Sequence, residues 1–375
     1  MQWLFGLLGL GAALAAVAAQ DAARMRATPQ LPQAASAAGG RISVLIPARD
    51  EAGRIGACLG GLAHQRLRAC EVIVVDDAST DGTADVARAH AAALPELRVL
   101  AGQPLPPGWA GKCWACWQAA QAARGEWLLF LDADVVPAPG LLADALTHAQ
   151  RADALTLMPR QTLVTLAERL LVPAFHTILY SLYPLAAVGD ASSPLALFNG
   201  QAILIRREVY QATGGHRSVR ASVLEDADYA AVVKGAGYRI RAAEAFGQLS
   251  ARMYTGWPDA LEGLGKNAVA GARSGGPRSA WVGLRQGLLA FGPWWAMAAA
   301  LAAGPPLAAA GALALAALAA AHVGWLYHRR YGLAPWWGLA YPLGLGIYYA
   351  VALRGLLRVR GGRGVRWKGR VLDGR

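Results

Sequence analysis

The sequence predicts a doubly wound α/β domain on a mainly parallel sheet, with apolar segments fit for a membrane on both sides of it. Three observations predict this. Short apolar runs alternate with helical stretches from residue 41 onward. Long apolar stretches stand at the start and again after residue 283. Finally, 55% of the 375 residues are hydrophobic and only 16% charged, an unusual balance for a protein that lives wholly in water.

The chain opens on residues 3–19, apolar without a break. No Lys or Arg precedes them, whereas Arg24, Arg26 and Arg41 follow. Positive-inside reasoning therefore puts the N-terminus outside and the bulk of the chain in the cytosol. A cleaved signal peptide is the rival reading, helped by the small residues around Ala16–Ala19 and weakened by the missing basic n-region. Residues 1–20 are read as an uncleaved anchor, and residues 21–40, rich in Ala, Gln and Pro, as a linker.

From 41 to about 160 the runs 42–46, 71–75, 98–100 and 126–131 read as strands separated by helices. Continuous apolar strands of this kind belong to a parallel sheet covered on both faces. Runs at 154–158 and 195–206 read as further strands, with a helix of membrane-like character over 168–189 between them. Segments 283–303, 305–327 and 335–353 each approach the roughly twenty residues that a bilayer requires. Three true spans starting in the cytosol would leave the C-terminal tail outside, so one of them does not cross. Pro293 or the Pro305-Pro306 pair marks where a helix could break.

The net charge of +12 is unevenly placed. From Arg354 onward, seven arginines and Lys368 face a single acid, Asp373. This tail, 354–375, directly follows an apolar stretch and carries one interleaved aromatic, Trp367, which favours anionic membrane lipids as its partner over nucleic acid. Cys58, Cys70, Cys113 and Cys116 are too few and too scattered for a disulfide framework. Cys113 and Cys116 form a C-x-x-C without further ligands or a thioredoxin-like setting, and read as packing residues on a helix.

The chemistry is expected just beyond the strand ends, where open parallel sheets bind their ligands. Pro47-Ala48-Arg49-Asp50-Glu51 follows the first strand, and Asp76-Asp77-Ala78-Ser79-Thr80-Asp81-Gly82-Thr83 follows the second, where Asp81 or Thr83 could cap a helix. Asp132-Ala133-Asp134 follows the strand at 126–131. Each alone is an ordinary turn or cap; all three on one sheet is a stronger signal. Two aspartates one residue apart can offer oxygens to a hard divalent cation, Mg²⁺ or Mn²⁺, which completes its shell with water and phosphate oxygens. A metal-bound diphosphate is the natural guest. Lys112 could add a second positive charge there, although it is no P-loop lysine, because Pro106 stands where the first glycine should be and Cys113 follows it. A fourth acidic site, Glu225-Asp226 with Asp228, opens a helix patterned by Ala230, Val233 and Ala236. It serves either as a first-turn complement to the helix dipole or as the general base for an acceptor hydroxyl.

Together, Pro47 to Glu51, Asp76-Asp77 with Ser79 to Thr83, Asp132-Ala133-Asp134 and Glu225-Asp226 resemble the successive motifs of the family 2 inverting glycosyltransferases, which have the GT-A fold with its mixed, mainly parallel sheet. The resemblance covers roughly 41–275 and implies a nucleotide-sugar donor. It implies that Glu51 and Asp77 contact the nucleoside, with Asp77 facing the base. It implies that Asp132 lies near the ribose and diphosphate, that Asp134 binds the metal with Asp132, and that Asp226 is the base beside Glu225. Pro47, Arg49, Asp76 and Lys112 complete the expected donor site.

Leu105 to Lys112 with Trp114-Ala115, and Arg252-Met253-Tyr254 with Gly263, Lys266-Asn267 and Gly271-Ala272, resemble the membrane-bound members that act on carotenoid or hopanoid lipids. That likeness implies a hydrophobic lipid acceptor, with UDP-glucose as donor. The Q-x-x-R-W motif of processive synthases is absent after Asp226, which favours single transfer over polysaccharide building in the envelope. Asp132 and Asp226 must face one site, so the segment 168–189 cannot cross the bilayer once; His176, Tyr180 and Tyr183 fit a partly wet interfacial helix, an ordinary buried helix being the alternative.

Overall fold

The computed structural model describes residues 1–34, 39–274, 276–361, 365–367 and 370–372. The chain opens with α1 (Gln2–Ala27), β1 (Ile42–Ala48), α2 (Ile55–Ala63), β2 (Glu71–Asp76), α3 (Thr83–Arg88) and β3 (Leu97–Ala101). There follow α4 (Gly111–Ala122), β4 (Trp127–Leu131), β5 (Val135–Pro137), α5 (Leu141–Ala149), β6 (Ala154–Met158), β7 (Arg160–Gln161), α6 (Leu166–Leu182) and α7 (Leu185–Gly189). Next come β8 (Ala202–Arg206), α8 (Arg207–Ala212), α9 (Gly215–Ser218), α10 (Glu225–Gly235), β9 (Ile240–Glu244) and β10 (Leu249–Ala251). The long helices α11 (Trp257–Ser274), α12 (Gly276–Ala303), α13 (Pro306–Tyr331) and α14 (Tyr341–Arg360) follow.

The chain divides into two compact units, one of Thr28–Thr162 with Leu185–Met253, the other of Met1–Ala27, Leu163–Pro184 and Tyr254–Arg375. In the first, seven strands form a sheet of order β3-β2-β1-β4-β8-β6-β9. All neighbours are parallel except around β8, which runs antiparallel to both β4 and β6. The apolar runs of the sequence follow from this layering: Val44, Leu45 and Ile46 are each fully buried, as are Val72 to Val75, because helices cover both faces. This is the GT-A architecture, a mixed and mainly parallel sheet. A second, small sheet pairs β10 with β5 and β7.

The register sets the rim. Ala48 pairs with Asp76, so β1 and β2 end together, while Leu131 at the end of β4 pairs with Ala202 at the start of β8. The strand expected over 195–206 is thus only Ala202–Arg206, and the residues before it form a loop in which Leu197 and Phe198 are buried. Apolar composition alone does not separate a buried loop from a strand. Cys113 and Cys116 are buried free thiols on α4, as expected.

In the second unit, three helices among the described residues are long and apolar enough to cross a membrane: Gln2–Ala27, Pro306–Tyr331 and Pro335–Arg358. α1 runs on to Ala27, into the expected linker. α12 carries Arg278, Arg285 and Pro293 and is not among the three. Within the unit, Arg285 pairs with Asp21, which also meets His322 Nε2 at 3.2 Å, and Arg285, Asp21 and Gln286 are buried.

The helix expected over 168–189 is two helices, broken at Tyr183-Pro184 because proline disfavours helical backbone in the residue before it. α6 is opened by a capping box between Thr165 and Glu168 and falls in the second unit rather than the α/β unit. His176 and Tyr180 are buried rather than wet: the His176 ring nitrogen Nδ1 lies 3.1 Å from the Tyr331 hydroxyl and the Arg330 guanidinium 3.5 Å from the Tyr180 ring centre. Lys368 and Asp373 of the basic tail lie outside the described residues.

Candidate active site

The expected residues of the α/β unit divide by position on the rim. Around β1 and β2 the two acidic loops are laced together. Asp50 Oδ1 accepts the Thr80 amide at 2.9 Å, the Glu51 amide donates to Thr83 Oγ1 at 2.8 Å, and Asp81 accepts the amides of Ala52 and Thr83 at 2.9 and 3.0 Å. Asp81, one residue before the Gly82 N-cap, therefore satisfies the first amide of α3, and with Asp50 it builds the loops. The backbone is tight here, with left-handed Asp50 (φ 51°) and Ala78 (φ 53°). Arg49 Nη1 donates to the Asp77 carbonyl at 2.8 Å and sits 3.9 Å from its carboxylate, so Arg49 and Asp77 form one polar edge. Asp76 keeps one buried carboxylate oxygen, Oδ1, without a hydrogen bond. Glu51 pairs with Arg54 at 3.1 Å.

Around β4 the charges converge. Lys112, in the first turn of α4, places Nζ 2.8 Å from Asp132 Oδ1 and 3.1 Å from Glu225 Oε1. Asp226 Oδ2 accepts the Gly200 amide at 2.8 Å, and its Oδ1 accepts the Ala227 amide at 2.8 Å. Pro47, Lys112, Asp132, Gly200, Glu225 and Asp226 line a single crevice together with Phe130 and His216. Residues from β1, α4, β4, the loop before β8 and α10 thus meet at one place. The α4 end is held by the loop before it, where the Ala110 amide donates to the Arg220 carbonyl at 2.6 Å and Trp114 Nε1 to the Gln103 carbonyl at 3.0 Å. Trp109 stacks edge-on against Trp114 at 5.0 Å.

Electrostatics sharpen the picture. Burial lifts the Asp134 carboxyl to about 7, with the charges of Asp132 and Glu51 adding to it. Burial also raises Asp132, against the opposing pull of Lys112. Burial by itself would lower the Lys112 ammonium, but the charges of Asp132 and Glu225 outweigh it and hold Lys112 well above the usual lysine range. Asp226 is raised to about 6, by burial first and the Glu225 charge second.

The residues fit a divalent cation on an observation at Asp134: its Oδ1 is buried and takes no hydrogen bond, in a carboxylate whose own field resists ionisation. A cation is what such an oxygen lacks. No cluster of three or more ligating side chains occurs among the described residues, so Asp134 and Asp132 would supply the protein's share and phosphate and water oxygens the rest.

Sequence reasoning missed Gly200 and His216. Asn199-Gly200 is a turn dipeptide just before a strand, a signal that could have marked the position. His216 is buried behind the crevice, its Nδ1 3.0 Å from the Tyr210 hydroxyl and its ring against Phe130 at 4.8 Å. Burial lowers it to about 4, so it is a neutral wall.

Residues 43–212 match the model of glycosyl transferase family 2. The chain is 27% identical over 246 residues to the 4,4'-diaponeurosporenoate glycosyltransferase of Staphylococcus aureus strain MRSA252, and 26% identical to that of strain USA300. Each alignment spans 63% of this chain and 63% of the relative. Among solved structures it is similar to the mannosyltransferase PcManGT of Pyrobaculum calidifontis, solved with GDP-Man and Mn²⁺, at 23% identity and a TM-score of 0.56 over 93% of this chain and 99% of that one. With the acidic motifs at the rim of a mixed sheet, these matches make residues 43–212 similar to a glycosyl transferase family 2 domain, on a fold shared with PcManGT.

Proposed function

We propose that the protein is a membrane-bound, metal-dependent, inverting glycosyltransferase that moves one sugar from a nucleoside-diphosphate sugar, UDP-glucose, to a hydrophobic lipid of the carotenoid or hopanoid kind. The observation that carries this is the meeting of Asp132, Lys112 and Asp226 in one crevice: two anionic groups and a cation where a diphosphate ends and an acceptor begins. The S. aureus relatives, named for a carotenoid acid, support the lipid acceptor. Three apolar helices support a multi-pass membrane protein, with the α/β unit in the cytosol by the charge bias around α1.

In this reading Arg49, Glu51, Asp76 and Asp77 bind the nucleoside, Pro47 shapes the floor, and Lys112 and Asp132 meet the diphosphate. Asp134 and Asp132 hold Mg²⁺ or Mn²⁺, which supplies charge neutralisation for the departing diphosphate. Asp226, held still by two backbone amides, takes the proton from an acceptor hydroxyl. As that oxygen forms its bond to the anomeric carbon, the bond to the β-phosphate oxygen breaks. The electron pair leaves with the nucleoside diphosphate and the sugar inverts.

The test is direct. The full chain in detergent, given UDP-glucose, Mn²⁺ and lipid extract, should release UDP and add one hexose mass to a lipid. Incorporation of many hexoses into a water-soluble polymer would replace this reading with polysaccharide synthesis.

A further inference from the structure

The Lys112 side chain sits where the proposed donor site and acceptor site meet. Its Nζ is 2.8 and 3.2 Å from the two oxygens of Asp132 and 3.1 Å from Glu225 Oε1. A Cβ placed on Gly200 would lie 3.0 Å from this nitrogen and 3.1 Å from Asp226 Oδ2, so Lys112 and Asp226 flank the same glycine. The space left between these side chains is small, about 10 Å³, room for about one water. One half-exposed cation thus fills the junction and engages both oxygens of a carboxylate that the proposed metal needs, while the buried Oδ1 of Asp134 beside it stays without a hydrogen bond.

We infer that Lys112 is a placeholder cation: a positioning residue that holds Asp132 and Glu225, opposes a metal ion entering alone, and moves to the diphosphate when donor and metal arrive together. This rests on the reading of Asp132 and Asp134 as the metal pair. The physical ground is charge balance. With Lys112 in place Asp132 is already neutralised, and a dication beside an ammonium is repelled. A bound diphosphate brings negative charge enough for both cations, so the same lysine that opposes the metal alone favours the metal with nucleotide.

A merely structural lysine would not change the two binding events in opposite directions. The full chain in detergent, stripped with EDTA and dialysed, is titrated with Mn²⁺ alone and followed by the electron spin resonance of free Mn²⁺. UDP alone is titrated separately by calorimetry in EDTA. Lys112→Met should bind Mn²⁺ at least about tenfold tighter than wild type and UDP at least about fivefold more weakly. Lys112→Arg, which keeps the charge, should stay within about threefold of wild type for Mn²⁺. Thermal unfolding with and without Mn²⁺ covers poor folding, since Lys112→Met should gain a larger rise in Tm on adding Mn²⁺ than wild type does. Equal Mn²⁺ affinity in wild type and Lys112→Met, or a Lys112→Arg protein as tight as Lys112→Met, overturns the placeholder and leaves the metal pair standing. Absence of Mn²⁺ binding in both, at millimolar metal, overturns the metal pair and the placeholder with it.

Discussion

The Asp226 carboxylate accepts the Gly200 amide at 2.8 Å, across 26 residues of sequence. A Cβ at Gly200 would lie 3.0 Å from Lys112 Nζ and 3.1 Å from Asp226 Oδ2, so both side-chain ends would have to give by a few tenths of an ångström. Gly200 is not in the left-handed region, so alanine costs the backbone little and the effect should fall on the site. Gly200→Ala is expected to lower kcat by about 10- to 100-fold through misplacement of the base. Its Tm should stay near wild type; an unaltered kcat would separate Asp226 from the reaction.

Asp134 is the clearest probe of the metal. Asp134→Ala removes the buried oxygen that lacks a partner, and should cut UDP release in Mn²⁺ by about 10³-fold, the several kcal/mol that a Lewis acid supplies at a leaving group. Circular dichroism should stay as in wild type. Full turnover at ordinary Mn²⁺ would exclude the assignment.

The raised Asp226 sets a pH limit. A base must be ionised to accept a proton, so with its carboxyl at about 6 the rate on a hydroxyl acceptor should level off above neutrality and fall about tenfold per pH unit below 6. Asp226→Asn should erase this inflection and cost about 10²- to 10⁴-fold with an alcohol. A carboxylic acid acceptor, with a reference pKa of about 4, is already ionised and should suffer less. Wild-type rates with both acceptors would remove Asp226 from the mechanism.

Gly215 tests the wall behind the crevice. Its φ is +53° and a Cβ would lie 2.3 Å from the Tyr210 ring, which is buried and hydrogen-bonded to His216. Gly215→Ala is expected to destabilise the α/β unit by about 2–4 kcal/mol, through backbone strain and overpacking together. Chemical unfolding would report it, and a change below about 0.5 kcal/mol would contradict the tight fit.

In the helical unit, Asp21→Ala leaves Arg285 buried without its carboxylate. Loss of one member of a buried pair costs about 3–5 kcal/mol. The Tm in detergent should drop clearly, and Asp21→Ala with Arg285→Met should recover part of it.

The strands were legible because a sheet covered on both faces imposes continuous apolar runs, and β1, β2 and β4 fall where those runs do. The rim carboxylates were legible because strand ends and ligands coincide in such sheets. What was hidden depends on distance in space. Nothing near Lys112 in sequence announces Glu225, 113 residues on, and nothing in Leu197 and Phe198 distinguishes a buried loop from the strand that starts at Ala202. The small sheet of β5, β7 and β10 has strands of two or three residues, too short for any period to register. His176 and Tyr180 have polar atoms that look wet in a sequence, and only their partners Tyr331 and Arg330 explain their burial.

The reversed direction of β8 divides the rim by the way its parts are reached. The β1 and β2 half hangs on strands that end at the rim and are joined by crossover helices, whereas the opposite half is reached by a strand that begins there. The largely exposed stretch 191–194 can therefore be exchanged or lengthened without disturbing a crossover, the buried Leu197 and Phe198, or the Gly200 contact to Asp226.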